Sequence, residues 1–194
     1  GVFYNETLLG IVVPDGQNRM VSGKTAGYMR IYSTRIALEI LIYSHGDRLP
    51  TYRYGETTFG VELCYDTHFP ELTTVLALRG VEVLFLPYAS PRETPMEKRE
   101  RWIRYLSARA YDNSIFVVAC NQVGRYDTGL TFPGVAIIFD PKGRVMTESC
   151  GEGERMAITD LRSGVLKHVR ESKMGFFLSR RRPEVYRSLS DSFN

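Results

Sequence analysis

Short apolar runs alternate with segments of helical periodicity in the middle of the chain. The apolar runs predict strands over residues 59–64, 81–87 and 115–120, and the second run is nearly continuous, as in a strand covered on both faces. Between the runs, apolar residues recur every three or four positions over 70–79 and 95–111, as on one face of a helix. Strands that alternate with helices indicate an α/β fold.

Both ends of the chain carry strand and turn signals instead. The pattern predicts further strands over residues 7–13, 19–22, 28–32, 49–54, 135–139, 144–147 and 156–159, and a helix over 161–170. Residues 34–44 fit no single element. These hairpins indicate a mixed sheet with helices on one face and a second sheet on the other. We expect one domain over residues 1–194, with a polar C-terminal tail from about residue 172.

The stretch GVELCYDTHFPE places Cys64 between an apolar strand and the start of a helix. Pro70 and Glu71 are typical of a first helical turn. A thiol just before a helix N-terminus is accessible, and its thiolate form is favoured. A cysteine nucleophile also requires a base and an oxyanion site. The backbone N–H of Tyr65 is the oxyanion candidate, and the candidate partner side chains are Glu39, Asp66, His68, Arg30 and Lys24.

Other reactive residues have simpler interpretations. His68 follows Cys64 across the turn, and we expect it to point to solvent or to a neighbouring subunit rather than to the thiol. Cys120 lies in a predicted core strand and Cys150 in a glycine-rich turn, so both are interpreted as structural. Trp102 is predicted to pack in the core or at an interface. The three cysteines include no CxxC pair, which argues against a disulfide framework or a zinc site.

Composition narrows the class of protein. With 194 residues, of which 43% are hydrophobic, the chain is able to bury a sizeable core. The net charge is only +3, and the basic run Arg180–Arg182 favours a solvated or interface surface over nucleic-acid binding. No apolar run is long enough to span a bilayer, and no signal-peptide pattern opens the chain. We expect a cytoplasmic protein without nucleic-acid or membrane partners.

Residues 63–66 with 69–71, read as LCYD and FPE, resemble the nucleophile motif of the nitrilase, or carbon–nitrogen hydrolase, superfamily. The resemblance extends in the same order from about residue 4 to residue 187. The further matching pieces are Tyr4–Asn5, Pro14–Gly16, Gly46–Asp47, Ala108–Ala110, Asn113, Asn121, Gly134, Asp140–Gly143 and Arg181–Tyr186.

The resemblance implies an α-β-β-α sandwich with mixed sheets that assembles into homodimers or larger homo-oligomers. It implies a glutamate, lysine and cysteine site that hydrolyses a small amide, carbamoyl compound or nitrile through a thioester, with no metal and no organic cofactor. Cys64 matches the nucleophile, and the Tyr65 amide matches the oxyanion donor beside it. Glu39 fits the position of a second, assisting glutamate.

Two positions depart from the family pattern. Arg30, in the stretch YMRIY, aligns with the family's lysine, and Lys24 is the alternative if the preceding hairpin is shifted. Arginine keeps the positive charge but presents its donors as a fork. We expect the N-terminal unit with the family's first glutamate to be missing, so no residue is assigned as the base. The leading hypothesis is a carbon–nitrogen hydrolase. The rivals are an impaired nitrilase-like scaffold that acts in binding or assembly, and a fragment of a longer enzyme.

Overall fold

The computed structural model describes residues 48–125 and 129–190, and before them the backbone of four short strands. The strands are β1 (Val2–Tyr4), β2 (Thr7–Leu9), β3 (Tyr28–Ile31), β4 (Ile42–His45), β5 (Tyr52–Tyr54), β6 (Thr57–Val61), β7 (Val83–Tyr88), β8 (Phe116–Asn121), β9 (Gly124–Arg125), β10 (Thr131–Phe132), β11 (Gly134–Phe139) and β12 (Val145–Gly151). The helices are α1 (Pro70–Leu78), α2 (Pro95–Asn113) and α3 (Ser163–Arg170).

Six strands form one mixed sheet in the order β12-β11-β8-β7-β6-β5. Strands β6, β7 and β8 are parallel, and the other neighbours are antiparallel. Helix α1 connects β6 to β7, and α2 connects β7 to β8, as crossovers between parallel strands require. The predicted mixed sheet, with helices between its central strands, is confirmed.

The helices that flank the central strands begin and end at residues that are typical helix start and stop signals. Pro70 opens α1, and Gly80 follows it with a φ of +90° that favours glycine. Thr94 caps α2 by accepting a hydrogen bond from the Glu97 amide at 3.2 Å, and the Glu97 carboxylate accepts one from the Thr94 amide at 2.8 Å. This reciprocal capping box fixes the start of the helix that lies over the candidate site.

The sheet is covered on both faces, and strand β7 contributes to both. Leu84 and Leu86 pack with Trp102 and Leu106 of α2, so Trp102 is a core residue as predicted. On the other face, Val83 packs in a cluster with Phe59, Phe116 and Leu166. Because Leu166 belongs to α3, a helix covers part of the face where the sequence predicted a second sheet. The central strands therefore form a rigid support for the loops at their ends.

Two local predictions near the C-terminus are wrong. Residues 156–159 form no strand, and Met156 and Ile158 are 81% and 78% exposed. An alternation of apolar and polar residues is therefore not sufficient here, because no strand in the described part of the chain pairs with this segment. Cys150 lies in strand β12 rather than in a turn, because the hairpin with β11 continues to the pair Gly134 and Gly151. The predicted helix over 161–170 is confirmed with a start at Ser163.

Of the four short N-terminal strands, β2 and β3 match predicted strands, whereas β1 and β4 were not predicted. Strand β2 covers the start of the predicted strand 7–13 and pairs with β1, and β3 matches 28–32 and pairs with β4. The predicted strand 19–22 and most of residues 34–44 lie outside the described part of the chain.

Candidate active site

Cys64 opens a tight 3-10 turn between strand β6 and helix α1. The strand ends at Val61, the turn occupies Cys64–His68, and the helix begins at Pro70. The φ of Cys64 is +43°, in the left-handed region that a residue with a Cβ adopts at a cost of about 1–2 kcal/mol. The thiol is half-buried against the core. The predicted position between strand and helix is confirmed, although the strand ends earlier than predicted.

Side chains hold the backbone of this turn from two directions. The Asp66 carboxylate accepts a hydrogen bond from the Leu63 amide at 3.1 Å, and the Asp66 amide donates to the Leu63 carbonyl at 2.9 Å. From helix α2, the guanidinium of Arg109 donates two bonds to the Thr67 carbonyl at 3.3 and 3.2 Å. The turn is therefore fixed both locally and from a helix that is distant in sequence.

Three hydroxyl groups lie beside the turn in a connected chain. The Thr67 hydroxyl donates to the carbonyl of Cys64 at 2.7 Å and lies 2.6 Å from the Tyr88 hydroxyl. The Tyr88 hydroxyl in turn lies 3.3 Å from that of Tyr105. Burial is the main cause that raises the pKa of Tyr88 well above its usual value, so Tyr88 remains a neutral phenol. We call Thr67, Tyr88 and Tyr105 the hydroxyl chain.

Glu62 is a buried acid two residues before the thiol. Its side chain is fully buried, and one carboxyl oxygen accepts a hydrogen bond from the Thr73 hydroxyl at 2.8 Å. The other oxygen has no hydrogen-bond partner among the described residues. Desolvation raises the pKa of Glu62 to about 8, and the nearby charge of Asp66 adds to the rise. Glu62 is therefore mostly protonated at neutral pH.

Lys98 is a buried cation on helix α2. Its ammonium is 0% exposed and donates to the Ser90 hydroxyl and the Glu93 carboxylate, each at 2.9 Å. Arg101 donates to the same carboxylate oxygen at 2.8 Å. Burial lowers the pKa of Lys98, while the charges of Glu93 and of a Cys64 thiolate act in the opposite direction. Glu93 is therefore the counter-ion of the buried Lys98 ammonium.

Tyr65 and His68 form the exposed rim of the turn. The Tyr65 side chain is 48% exposed and meets the His68 ring edge-on at 5.5 Å. His68 is also exposed, and its ring stacks on Tyr105 at 5.2 Å. Partial burial, and then the charges of Arg101 and Arg109, lower the pKa of His68. His68 therefore lies at the surface, as predicted.

The predicted site residues are only partly described by the structure. Cys64 and Tyr65 lie side by side in the turn. Arg30 lies in strand β3, where its backbone pairs with Tyr43, and its side chain is outside the described part. Glu39 and Lys24 are outside the described residues altogether. Their assignment remains a prediction from the family resemblance.

The other two cysteines lie inside strands, in environments that raise the pKa of their thiols. Cys120 lies in strand β8, and burial raises the pKa of its thiol to about 11. Cys150 lies in strand β12, where burial and the charge of Glu148 raise its pKa. At neutral pH both remain thiols, and a thiol is a weaker nucleophile than a thiolate.

Several polar residues of the site were not singled out from the sequence. Glu62 carried a usable signal, because an acid inside an apolar strand that ends at a cysteine is unusual. Lys98 gave no such signal, because it lies in a helix rich in charged residues and only the fold buries it. The hydroxyl chain joins three separate elements, and no local pattern predicts it.

Two features are absent from the described residues, a metal-binding cluster and a membrane-spanning helix. In that part of the chain, no cluster of three or more His, Cys, Asp or Glu side chains is placed to hold a metal ion. Among the same residues, no helix has the length and apolar character required to cross a membrane.

Residues 15–171 match the family model described as carbon-nitrogen hydrolase. An N-carbamoylputrescine amidase of Arabidopsis thaliana is 30% identical over 140 residues, which cover 67% of this chain and 46% of that protein. An (R)-stereoselective amidase of Pseudomonas sp. is 34% identical over 134 residues, 66% of this chain and 45% of that protein. The chain thus spans about half the length of the curated relatives it matches.

Solved structures show the same relationship. A mutant amidase from Nesterenkonia sp. AN1, which shows the Michael addition of acrylamide at its active-site cysteine, superposes with a TM-score of 0.61 at 25% identity. The match covers 77% of this chain and 52% of that one. The described fold is therefore that of the nitrilase-type amidases, and the resemblance read from the sequence is confirmed. The chain belongs to the carbon–nitrogen hydrolase family of the nitrilase superfamily.

Proposed function

We propose that this chain provides the nucleophile of an enzyme that hydrolyses non-peptide carbon–nitrogen bonds, and that Cys64 is this nucleophile. The observation that carries the proposal is the strained turn, in which Cys64 has a φ of +43° at the end of a central strand. A backbone strain of this kind is concentrated at functional sites.

The proposed reaction proceeds in two stages. The Cys64 thiolate attacks the carbonyl carbon of an amide, a C–S bond forms, and an electron pair moves to the oxygen. The tetrahedral intermediate then collapses, the C–N bond breaks, and the nitrogen takes up a proton and leaves as ammonia or an amine. Water attacks the resulting thioester, the acid is released, and the thiol is restored.

The roles of the other predicted residues follow from the family resemblance. The backbone N–H of Tyr65 donates a hydrogen bond to the oxyanion. Arg30, or Lys24 in the shifted alignment, supplies positive charge to the same oxygen, and Glu39 assists proton transfer. Neither metal nor organic cofactor takes part in this scheme.

The substrate class and the organisation of the protein are proposals of the same kind. The relatives are named for carbamoylputrescine and for stereoselective amide hydrolysis, which supports small amides and carbamoyl compounds, with nitriles as the further class. We place the protein in the cytoplasm as a homodimer or larger homo-oligomer of a single domain over residues 1–194.

Release of ammonia from a panel of primary amides, N-carbamoyl amines and nitriles tests the proposal. We expect the purified protein to hydrolyse at least one member and Cys64→Ala to abolish that activity. Cys120→Ala is the matched control, because its thiol lies in strand β8 with a raised pKa, and this variant should retain the activity. Mass spectrometry of the protein stopped during turnover should detect an acyl group on the peptide that contains Cys64.

Two results would refute the proposal. One is ammonia release that Cys64→Ala leaves unchanged. The other is the absence of release together with an iodoacetamide reaction at Cys64 no faster than at Cys120. The second result would favour the non-catalytic scaffold that the sequence left open as a rival.

A further inference from the structure

The protons of the hydroxyl chain have only one possible arrangement. The Thr67 hydroxyl has a single proton, and it is donated to the Cys64 carbonyl, which accepts only. At a separation of 2.6 Å, Tyr88 must therefore donate to the Thr67 oxygen. Tyr88 has then used its own proton, so Tyr105 donates to Tyr88 across 3.3 Å. Along the hydroxyl chain every hydrogen bond is therefore donated in the same direction, from Tyr105 towards the backbone carbonyl of Cys64.

The end of the chain is the strained residue itself. A φ of +43° is unfavourable for a residue with a Cβ, so the Cys64 conformation requires support from its surroundings. The Thr67 bond closes the turn across three residues and fixes the direction of the Cys64 carbonyl. The peptide plane that contains this carbonyl also contains the Tyr65 N–H, which is the proposed oxyanion donor.

Burial makes this support difficult to replace by water. Thr67 is fully buried and Tyr88 is 2% exposed. Tyr88 is in turn held by the ring of Trp102, with ring centroids 4.3 Å apart. Because Trp102 is a core residue of α2, the hydroxyl chain connects the rigid interior to the turn.

We propose that Thr67 and Tyr88 are positioning residues, which hold Cys64 and the following peptide in the geometry required for nucleophilic attack. They act through the Cys64 carbonyl and do not touch the substrate. The inference rests on the proposed role of Cys64 as the nucleophile. It adds to the site Thr67 of the turn and Tyr88 of strand β7.

Paired substitutions test the proposal through the reactivity of Cys64. Thr67→Val removes the hydroxyl and keeps the shape, whereas Thr67→Ser keeps the hydroxyl. Tyr88→Phe removes one link of the hydroxyl chain. Tyr111→Phe is the control, because Tyr111 is an exposed tyrosine of α2 that lies beside Phe177. The rate of iodoacetamide alkylation is followed from about pH 6 to pH 10. Peptide mass mapping separates Cys64 from the other two cysteines.

The expected pattern distinguishes positioning from simple loosening. In Thr67→Val, kcat should fall about tenfold while KM changes less than about twofold. The pH midpoint of Cys64 alkylation, which reports the pKa of the thiol, should rise by about 0.5 to 1 pH unit. Tyr88→Phe should show about a threefold loss of kcat. Thr67→Ser and Tyr111→Phe should remain close to the wild type. Loosening alone would speed alkylation at every pH without moving the midpoint.

Several outcomes would overturn the proposal. They are a wild-type midpoint and kcat in Thr67→Val, or a loss in Thr67→Ser as large as that in Thr67→Val. If Thr67→Val does not fold, Tyr88→Phe decides, and an unchanged midpoint and kcat in that variant overturn the proposal. If the protein releases no ammonia, the proposed function fails by itself, and the alkylation profiles still decide the positioning role.

Discussion

Replacing Glu62 by glutamine tests how the protein holds an uncharged acid beside its candidate nucleophile. The carboxyl is fully buried, with a hydrogen bond from Thr73 on one oxygen and, within the described part of the chain, no partner on the other. Glutamine has the same shape, keeps the oxygen that Thr73 contacts, and cannot ionise. The substitution therefore removes the titration of Glu62 and changes little else.

The size of the effect follows from the pKa of Glu62, which burial raises from 4.5 to about 8 in the folded protein. Between these values the folded state keeps a proton that the unfolded state has lost. Wild-type stability therefore falls as pH rises through this window, and at pH 7 the loss amounts to about 3 kcal/mol. Below the unfolded pKa the contribution of the protonated carboxyl is fully present.

Urea unfolding of wild type and Glu62→Gln at several pH values measures this effect. We expect the difference in free energy of unfolding, variant minus wild type, to grow by about 3 kcal/mol between pH 5 and pH 8. With a urea slope of about 2 kcal/mol per molar, the midpoints should separate by a further 1–2 M. Glu56→Gln is the control, because Glu56 is an exposed acid in the turn between β5 and β6.

The reasoning is refuted if the difference between variant and wild type stays constant over this pH range. A constant difference would mean that Glu62 titrates alike in the folded and unfolded states. A control that shows the same slope as Glu62→Gln would also refute it, because the slope would then not depend on burial.

Two further substitutions test the ion pair of the buried Lys98 and the backbone conformation at Gly143. Glu93→Gln should lower the free energy of unfolding by about 2 kcal/mol, because the buried Lys98 loses its counter-ion. The matched Glu184→Gln, which breaks an exposed pair, should leave the urea midpoint unchanged, and equal effects would contradict this. Gly143→Ala should cost more than about 3 kcal/mol, since its φ is +73° and the new Cβ would lie 2.7 Å from a carbonyl of α2. Gly55→Ala, with a φ of +57° and no atom of the described residues within 4 Å of the new Cβ, should cost about 1 kcal/mol. Thermal unfolding that ranks the two glycines in the opposite order would refute the packing argument.

Local patterns predicted the central elements because each is specified by its own residues. Strand β7 is a continuous apolar run, and α2 carries both an apolar stripe and its own capping box. The strand predicted at 156–159 failed because alternation does not provide a partner strand. The nucleophile candidate Cys64 was predicted from its motif, whereas the burial of Lys98 depends on how α2 lies across the sheet. Partner residues of that kind belong to the tertiary structure and leave no local signal.

The Cys64 turn shows how the two kinds of information combine. The strain of about 1–2 kcal/mol at Cys64 is opposed by side-chain bonds to the backbone, each contributing about 0.5–1.5 kcal/mol. Two of them come from Asp66 and Thr67 inside the stretch GVELCYDTHFPE, so this stretch itself specifies the turn. The other hydrogen bonds to Thr67 come from residues distant in sequence, Arg109 at a separation of 42 residues and Tyr88 at a separation of 21. A peptide of residues 60–71 could form the local bonds, but water would compete for them, because only the folded domain buries Thr67. The motif therefore determines where the nucleophile lies, and the packing of α2 and β7 determines how firmly it is held.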